Sequence, residues 1–170
     1  AISHLLFYEK WKIFSDASTA WRFPGMCMMG LALWVTYMFG ARAFSRRAGF
    51  VAAIALGLMP RVFYNAHLAC FDVPIMAMWA ACIYLYWRVE GGPDGKPMGL
   101  SGAALVGIVY GLTLETKHNA WMLPAVFVPH ALFVHWRAIS RHASRTSRIP
   151  IPSSLVAMAT LGPLVFVCLW

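Results

Sequence analysis

The chain of 170 residues is 61% hydrophobic and only 12% charged, with a net charge of +8 at pH 7. That apolar share lies far above the range of soluble domains and places the chain among integral membrane proteins. A nucleic-acid partner, the other common reason for a basic balance, would require Lys and Arg gathered on one polar face, whereas here they occupy the gaps between apolar runs.

In residues 1–22, Phe7, Trp11 and Phe14 recur at helical spacing while Glu9, Lys12 and Asp16 fall opposite. This predicts an N-terminal helix lying in the membrane interface or packed on protein. The charged-then-apolar layout of a signal peptide is missing. Six apolar segments follow, at residues 23–41, 49–60, 73–87, 100–114, 120–136 and 153–170. Several are shorter than the roughly 20 residues that a perpendicular span needs, so some helices are expected to run on into the polar stretches between them. The fold class is all-α, a polytopic transmembrane helical bundle of about six segments forming a single membrane domain over residues 1–170. The C-terminal run stops at Trp170 without a polar flank, so the chain reads as an incomplete part of a larger protein.

Lys and Arg set the orientation. If the segments alternate, one side receives Arg42, Arg46, Arg47, Arg88, Lys96, Arg137, Arg141, Arg145 and Arg148, while beyond Arg22 the other receives only Arg61 and Lys117. The richer side is cytoplasmic. The localisation is then a multi-pass protein of the plasma (inner) membrane, with two polar stretches on its extracytoplasmic face. The cytoplasmic turn EGGPDGKP, from Glu90 to Pro97, suits an antiparallel helix pair, and the basic loop at 137–152 suits topology signalling.

The two polar stretches carry the candidate chemistry. The first, PRVFYNAHLACFDVP, places Arg61, Asn65, His67 and Asp72 between apolar runs; the second is Glu115, Thr116, Lys117, His118 and Asn119. Ionisable groups near a bilayer cost roughly 2.5 to 3.5 kcal/mol at mid-membrane and persist mainly where they build a site. Asp72, followed by Val73 and Pro74, suits a helix N-cap, and as a membrane acid it suits a base that accepts a proton from an acceptor, a ligand for that group, or a metal ligand. His67 is its neighbour in the catalytic set, equally readable as a satisfied polar residue. Lys117 suits a phosphate-binding cation with His118 and Asn119 beside it, or a snorkelling lysine paired with Glu115. Arg61 serves a phosphate or anchors a helix end.

Nucleotide-binding glycine motifs, H-E-x-x-H and paired D-x-D acids are missing. Cys27, Cys70, Cys82 and Cys168 form no C-x-x-C pair and read as small buried hydrophobes. Ala103, Gly107 and Gly111 make a small-residue face suited to close helix packing within the chain.

These stretches resemble the GT-C type membrane glycosyltransferases, in particular glycosyltransferase family 39, which includes protein O-mannosyltransferases and bacterial aminoarabinose transferases. AWRFPGMCMMGLALWVTYMFGARAFSRRAGFVAAIALGLMP is similar to the family's Arg-led helix, basic turn and helix ending in Pro. NAHLACFDVPIMAMW is similar to its Asp-bearing helix start, and GLTLETKHNAWMLP to its Gly-rich helix ending in a Thr-Lys step. The resemblance implies transfer of a sugar from a polyprenyl-phosphate carrier to a protein or glycolipid acceptor at the extracytoplasmic face. It implies that Lys117 stabilises the phosphate, that Asp72 orients or activates acceptor or sugar, and that Arg22 supports the interfacial helices or the lipid phosphate. No metal ligand set is assigned, although a divalent metal fits the carboxylate. The family's main catalytic acid is expected upstream of residue 1, since neither Glu9 nor Asp16 has an equivalent context.

Two other classes fit part of the pattern. A multi-pass transporter predicts ionisable groups deep within helices, whereas the six segments are nearly free of them away from one face. A non-catalytic membrane subunit would use the polar stretches only to satisfy helix ends.

Overall fold

The computed structural model describes residues 2–91, 98–143 and 152–169, with side chains described within 3–91, 98–135 and 152–169. Among the described residues every regular element is helical, as the sequence predicts. The Gly/Pro turn beyond Gly91 and residues 144–151 of the basic loop at 137–152 lie outside the described residues, and 137–143 continue the helix before it.

The N-terminal stretch departs from the single amphipathic helix that its spacing predicts. A short α1 (Ile2–His4) runs into a π-helical turn (Leu5–Lys10), and the chain leaves helical geometry before Asp16. Lys12 takes a positive φ of 49°, which reverses the chain. The cause is aromatic packing: Phe7, Phe14 and Phe23 meet in tilted and edge-on pairs with ring centroids 5.0 to 6.0 Å apart, folding the stretch back onto the start of the next helix.

That helix, α2 (Ala17–Ala43), starts earlier than the apolar run because Asp16 caps it. The Asp16 carboxylate accepts the Thr19 N–H at 3.1 Å together with the Ser18 and Thr19 hydroxyls. Ser45 caps α3 (Arg46–Leu58) in the same manner, accepting the Ala48 N–H at 3.2 Å. A Cβ on Gly40 would stand 2.7 Å from the Gly49 Cα, so α2 and α3 meet backbone to backbone. Pro60 then breaks the chain. It lacks an N–H and pushes Met59 out of the helical region, to ψ 118°, so α4 (Pro60–Ala66) restarts at 70° to α3 with proline in its first turn.

The remaining helices are α5 (Asp72–Val89), α6 (Leu100–Thr116), α7 (Leu123–Ala143) and α8 (Ser153–Leu169), with a 3-10 turn at His118–Met122. As expected, α6 runs on into the second polar stretch. By length and apolarity α2 can cross a membrane, and the bent α3 and α4 pair can do so if it counts as one span. At about 1.5 Å per residue the 17-residue α6 and α8 fall short of a hydrocarbon core of about 30 Å. Six full spans therefore do not follow from helix length.

The chain divides into two compact units, Ala1–Ala81 and Cys82–Trp170. In the first, Met29, Ala66 and Val73 form a buried core flanked by Met28, Leu33, Val62 and Met76, which ties α4 and the start of α5 to α2. In the second, the small-residue face of α6 packs on α8: a Cβ on Gly111 would lie 2.7 Å from the Gly162 carbonyl oxygen, and one on Gly162 would lie 2.6 Å from the Tyr110 ring. The expectation of close packing within the chain holds.

Candidate functional site

In the first unit the break at Met59 decides the geometry. Restarting the helix at Pro60 puts Arg61 and Asn65 one turn apart on a single face of α4. Asp72, Val73 and Met76 come from the first turns of α5, where Phe71 provides the carbonyl that accepts the Ile75 N–H at 3.0 Å. Asp72 is therefore the first helical residue, one place beyond the predicted cap position. Arg61, Val62, Asn65, Asp72, Val73 and Met76 together line a pocket of about 340 Å³. One wall carries a carboxylate at the positive end of a helix, and the other carries a guanidinium and an amide. The floor, Val62, Val73 and Met76, belongs to or packs on the apolar core. Such a pocket can hold a polar group with both a negatively charged part and hydroxyl donors.

His67 and Arg22 stand outside this lining. His67 caps the C-terminus of α4, its Nδ1 2.7 Å from the Phe63 carbonyl oxygen and its ring tilted on Phe63 at 4.6 Å. Arg22 is exposed in the second turn of α2.

In the second unit α6 ends at Thr116, and Lys117 takes an extended conformation as its C-cap, its N–H on the Thr113 carbonyl at 3.3 Å. A cation suits the negative end of a helix. His118 and Asn119 follow, exposed, in the 3-10 turn, which delays α7 to Leu123 where the sequence places a helix start at residue 120. Glu115 is half-buried, with Oε1 out of solvent and without a hydrogen bond. Trp121 of the same turn opens an apolar crevice of about 260 Å³, walled by Tyr110 of α6, Pro124 and Val128 of α7, and Leu155, Met158, Ala159 and Pro163 of α8. The second polar stretch is thus continuous along the chain with an apolar slot. Asp72 belongs to the first unit and Lys117 to the second.

One cluster was invisible in the sequence. Glu90, which reads there as a turn residue, is 10% exposed and accepts hydrogen bonds from His135 Nε2 and Ser154 Oγ, both at 2.6 Å. One turn earlier Tyr86 bonds His130 Nδ1 at 3.0 Å and the Phe127 carbonyl at 3.2 Å. The expectation that the segments are nearly free of polar groups away from one face therefore fails. Only the pairing of Tyr86 with Glu90 at i, i+4, opposite two histidines on a later segment, could have signalled it. Among the described residues no three His, Cys, Asp or Glu side chains gather as a metal site.

The family model described as dolichyl-phosphate-mannose-protein mannosyltransferase matches residues 9–167. The chain belongs to this family. No curated protein and no solved structure matches it. The mannosyltransferase family is a membrane glycosyltransferase family of GT-C type, so the resemblance drawn from the Arg-led, Asp-bearing and Thr-Lys motifs holds. The match runs through both units and includes the Arg61, Asn65 and Asp72 pocket and the stretch around Lys117.

Proposed function

We propose that the chain forms part of a multi-pass membrane enzyme that moves a sugar from a polyprenyl-phosphate carrier to a protein or glycolipid acceptor at the extracytoplasmic face. The observation that carries this reading is the convergence of Arg61, Asn65 and Asp72 on one pocket in a chain of the mannosyltransferase family. Within that family description the donor is dolichyl-phosphate mannose and the acceptor a protein.

In the transfer, the acceptor's nucleophilic atom attacks the anomeric carbon, the bond from that carbon to the phosphate oxygen breaks, and its electron pair leaves on the phosphate. A single in-line displacement inverts the anomeric centre. Asp72 accepts a hydrogen bond from the acceptor or a sugar hydroxyl and orients it, and can take the proton that the acceptor loses. Arg61 and Lys117 offset the charge that grows on the departing phosphate, with Asn65, His118 and Asn119 as hydrogen-bonding neighbours. Glu115, whose Oε1 has no hydrogen bond of its own, accepts one from a substrate hydroxyl, Arg22 supports the lipid phosphate, and His67 stands beside Asp72 in sequence as a second proton acceptor. The slot behind Trp121, almost wholly apolar, suits one isoprenoid chain. The six helical segments act as one membrane domain, oriented by the Lys and Arg excess of the cytoplasmic loops.

The test is incubation of the full-length protein in lipid with polyprenyl-phosphate sugars labelled in the sugar. Release of bare carrier together with labelled acceptor is the expected result. Carrier that remains fully glycosylated with every sugar and acceptor tried rejects the reading.

A further inference from the structure

The Glu90 cluster lies at the end of the second unit away from Lys117. Its three members come from three elements: Glu90 follows α5, His135 lies on α7 and Ser154 lies in the first turn of α8. Ser154 is fully buried, and His135 is about one-third exposed. Charge-assisted bonds of 2.6 Å to one carboxylate are short and strongly directional.

The helices that Glu90 joins are the two long walls of the apolar crevice. Ser154 precedes Leu155 and sits one turn from Met158, both of which line it. His135 lies two turns beyond Val128, on the same face of α7, about 10 Å along the helix axis. A single carboxylate therefore bridges the α7 wall and the α8 wall just past the end of the slot.

The walls differ in freedom. Gly107 and Gly111 hold α6 against α8 with backbone in contact, which leaves that pair no room to slide. Each wall helix has an interior proline, Pro129 in α7 and Pro163 in α8, but among the described residues the glycine contacts pin only α8 to α6.

We propose that Glu90, His135 and Ser154 form a latch that fixes α7 against α8 and so sets the width of the apolar crevice. With the latch made, the slot is narrow. With it released, α7, still bonded to Tyr86 through Phe127 and His130, parts from α8 and admits a lipid chain from the bilayer. The latch governs access whether or not the slot receives a carrier lipid; its bearing on sugar transfer rests on the function proposed above.

The test uses the full chain in lipid nanodiscs, with Cys27, Cys70 and Cys168 replaced by alanine and the buried Cys82 retained. Met158→Cys places a thiol on the crevice wall, where the side chain is 3% exposed, and its labelling rate with a membrane-soluble maleimide is measured. Glu90→Gln should raise that rate at least tenfold. Glu90→Asp keeps the charge but shortens its reach, and should act in the same direction. A thiol introduced instead at Val167, which is 72% exposed, should label at the same rate in every background. Met158→Cys labelling within twofold of the parent in both Glu90 variants overturns the latch. If Glu90→Gln fails to fold, Glu90→Asp and Ser154→Ala decide by the same criterion. No step of this readout involves sugar transfer, so failure of the latch and failure of the proposed function are separable.

Discussion

Gly107 of α6 approaches Ala157 of α8 so closely that a Cβ on the glycine would stand 2.5 Å from the Ala157 carbonyl oxygen. A backbone atom cannot swing aside as a side-chain tip does, so Gly107→Ala must push the two helices apart. The expected loss is about 1 to 3 kcal/mol, the usual range for overpacking a tight contact. Gly30 provides the contrast, since nothing lies within 4 Å of its would-be Cβ. Gly30→Ala should leave stability unchanged or raise it by up to about 1 kcal/mol through helix propensity. Unfolding in detergent micelles, followed by circular dichroism, distinguishes the two.

The same pair of helices illustrates what the sequence makes legible. Three small residues at i, i+4 and i+8 announce a close-packed face, and Pro60 announces a helix end, because each acts through its own backbone neighbours; the caps at Asp16 and Ser45 went unread. What also escapes is contact at long separation. Glu90 meets His135 and Ser154 only because three helices return to one place, and nothing local to EGGPDGKP reports it. Periodicity misleads in residues 1–22, where the aromatic spacing fits a helix but Phe7 and Phe14 instead fold back on Phe23. In the candidate site, Arg61, Asn65, His67 and Asp72 were legible as one polar stretch, whereas the pocket shared by Arg61, Asn65 and Asp72 depends on the bend at Met59.

Asp16 should make the start of α2 sensitive to acid. Its carboxyl is held below the ordinary 3.8 chiefly by the Ser18 hydroxyl and then the Ser18 N–H, against desolvation, with smaller lowering contributions from the Thr19 N–H and hydroxyl. A carboxyl with a depressed folded value stabilises the fold above its unfolded value and loses that contribution as pH falls through the folded one. The cap should therefore be intact at neutral pH and fray below 3.8. The Thr19 amide resonance should titrate with a midpoint under that value, and Asp16→Asn, which keeps a capping oxygen, should remove the titration. A midpoint at or above 3.8 would contradict the cap.

The charge asymmetry predicts which side of the membrane each polar stretch faces. Thiols introduced at Asn65 and at Asn119, one in each unit, should both react with a membrane-impermeant maleimide added outside sealed cells. A thiol at Ser45, beside Arg46 and Arg47, should react only after permeabilisation. Labelling of Ser45→Cys from outside would invert the orientation and move the proposed chemistry to the cytoplasmic face.

Asp72 and Lys117 carry the most direct prediction about catalysis. A carboxylate that orients or deprotonates an acceptor typically contributes a factor of 100 or more, so Asp72→Asn in the full-length protein should lower the rate of sugar transfer by about 100-fold at saturating donor. Asparagine keeps the shape and a hydrogen-bonding oxygen while removing the proton acceptor, so helix α5 should still form and the protein should still insert. Lys117→Ala should cost a similar factor by removing charge stabilisation at the departing phosphate. Lys117→Arg, which retains the cation, should recover much of the loss. Arg61→Ala should likewise lower kcat, because its guanidinium is placed with Lys117 against charge that grows on the departing phosphate. Transfer at the parent rate by both Asp72→Asn and Lys117→Ala, with insertion confirmed by protease protection, would remove these residues from the site.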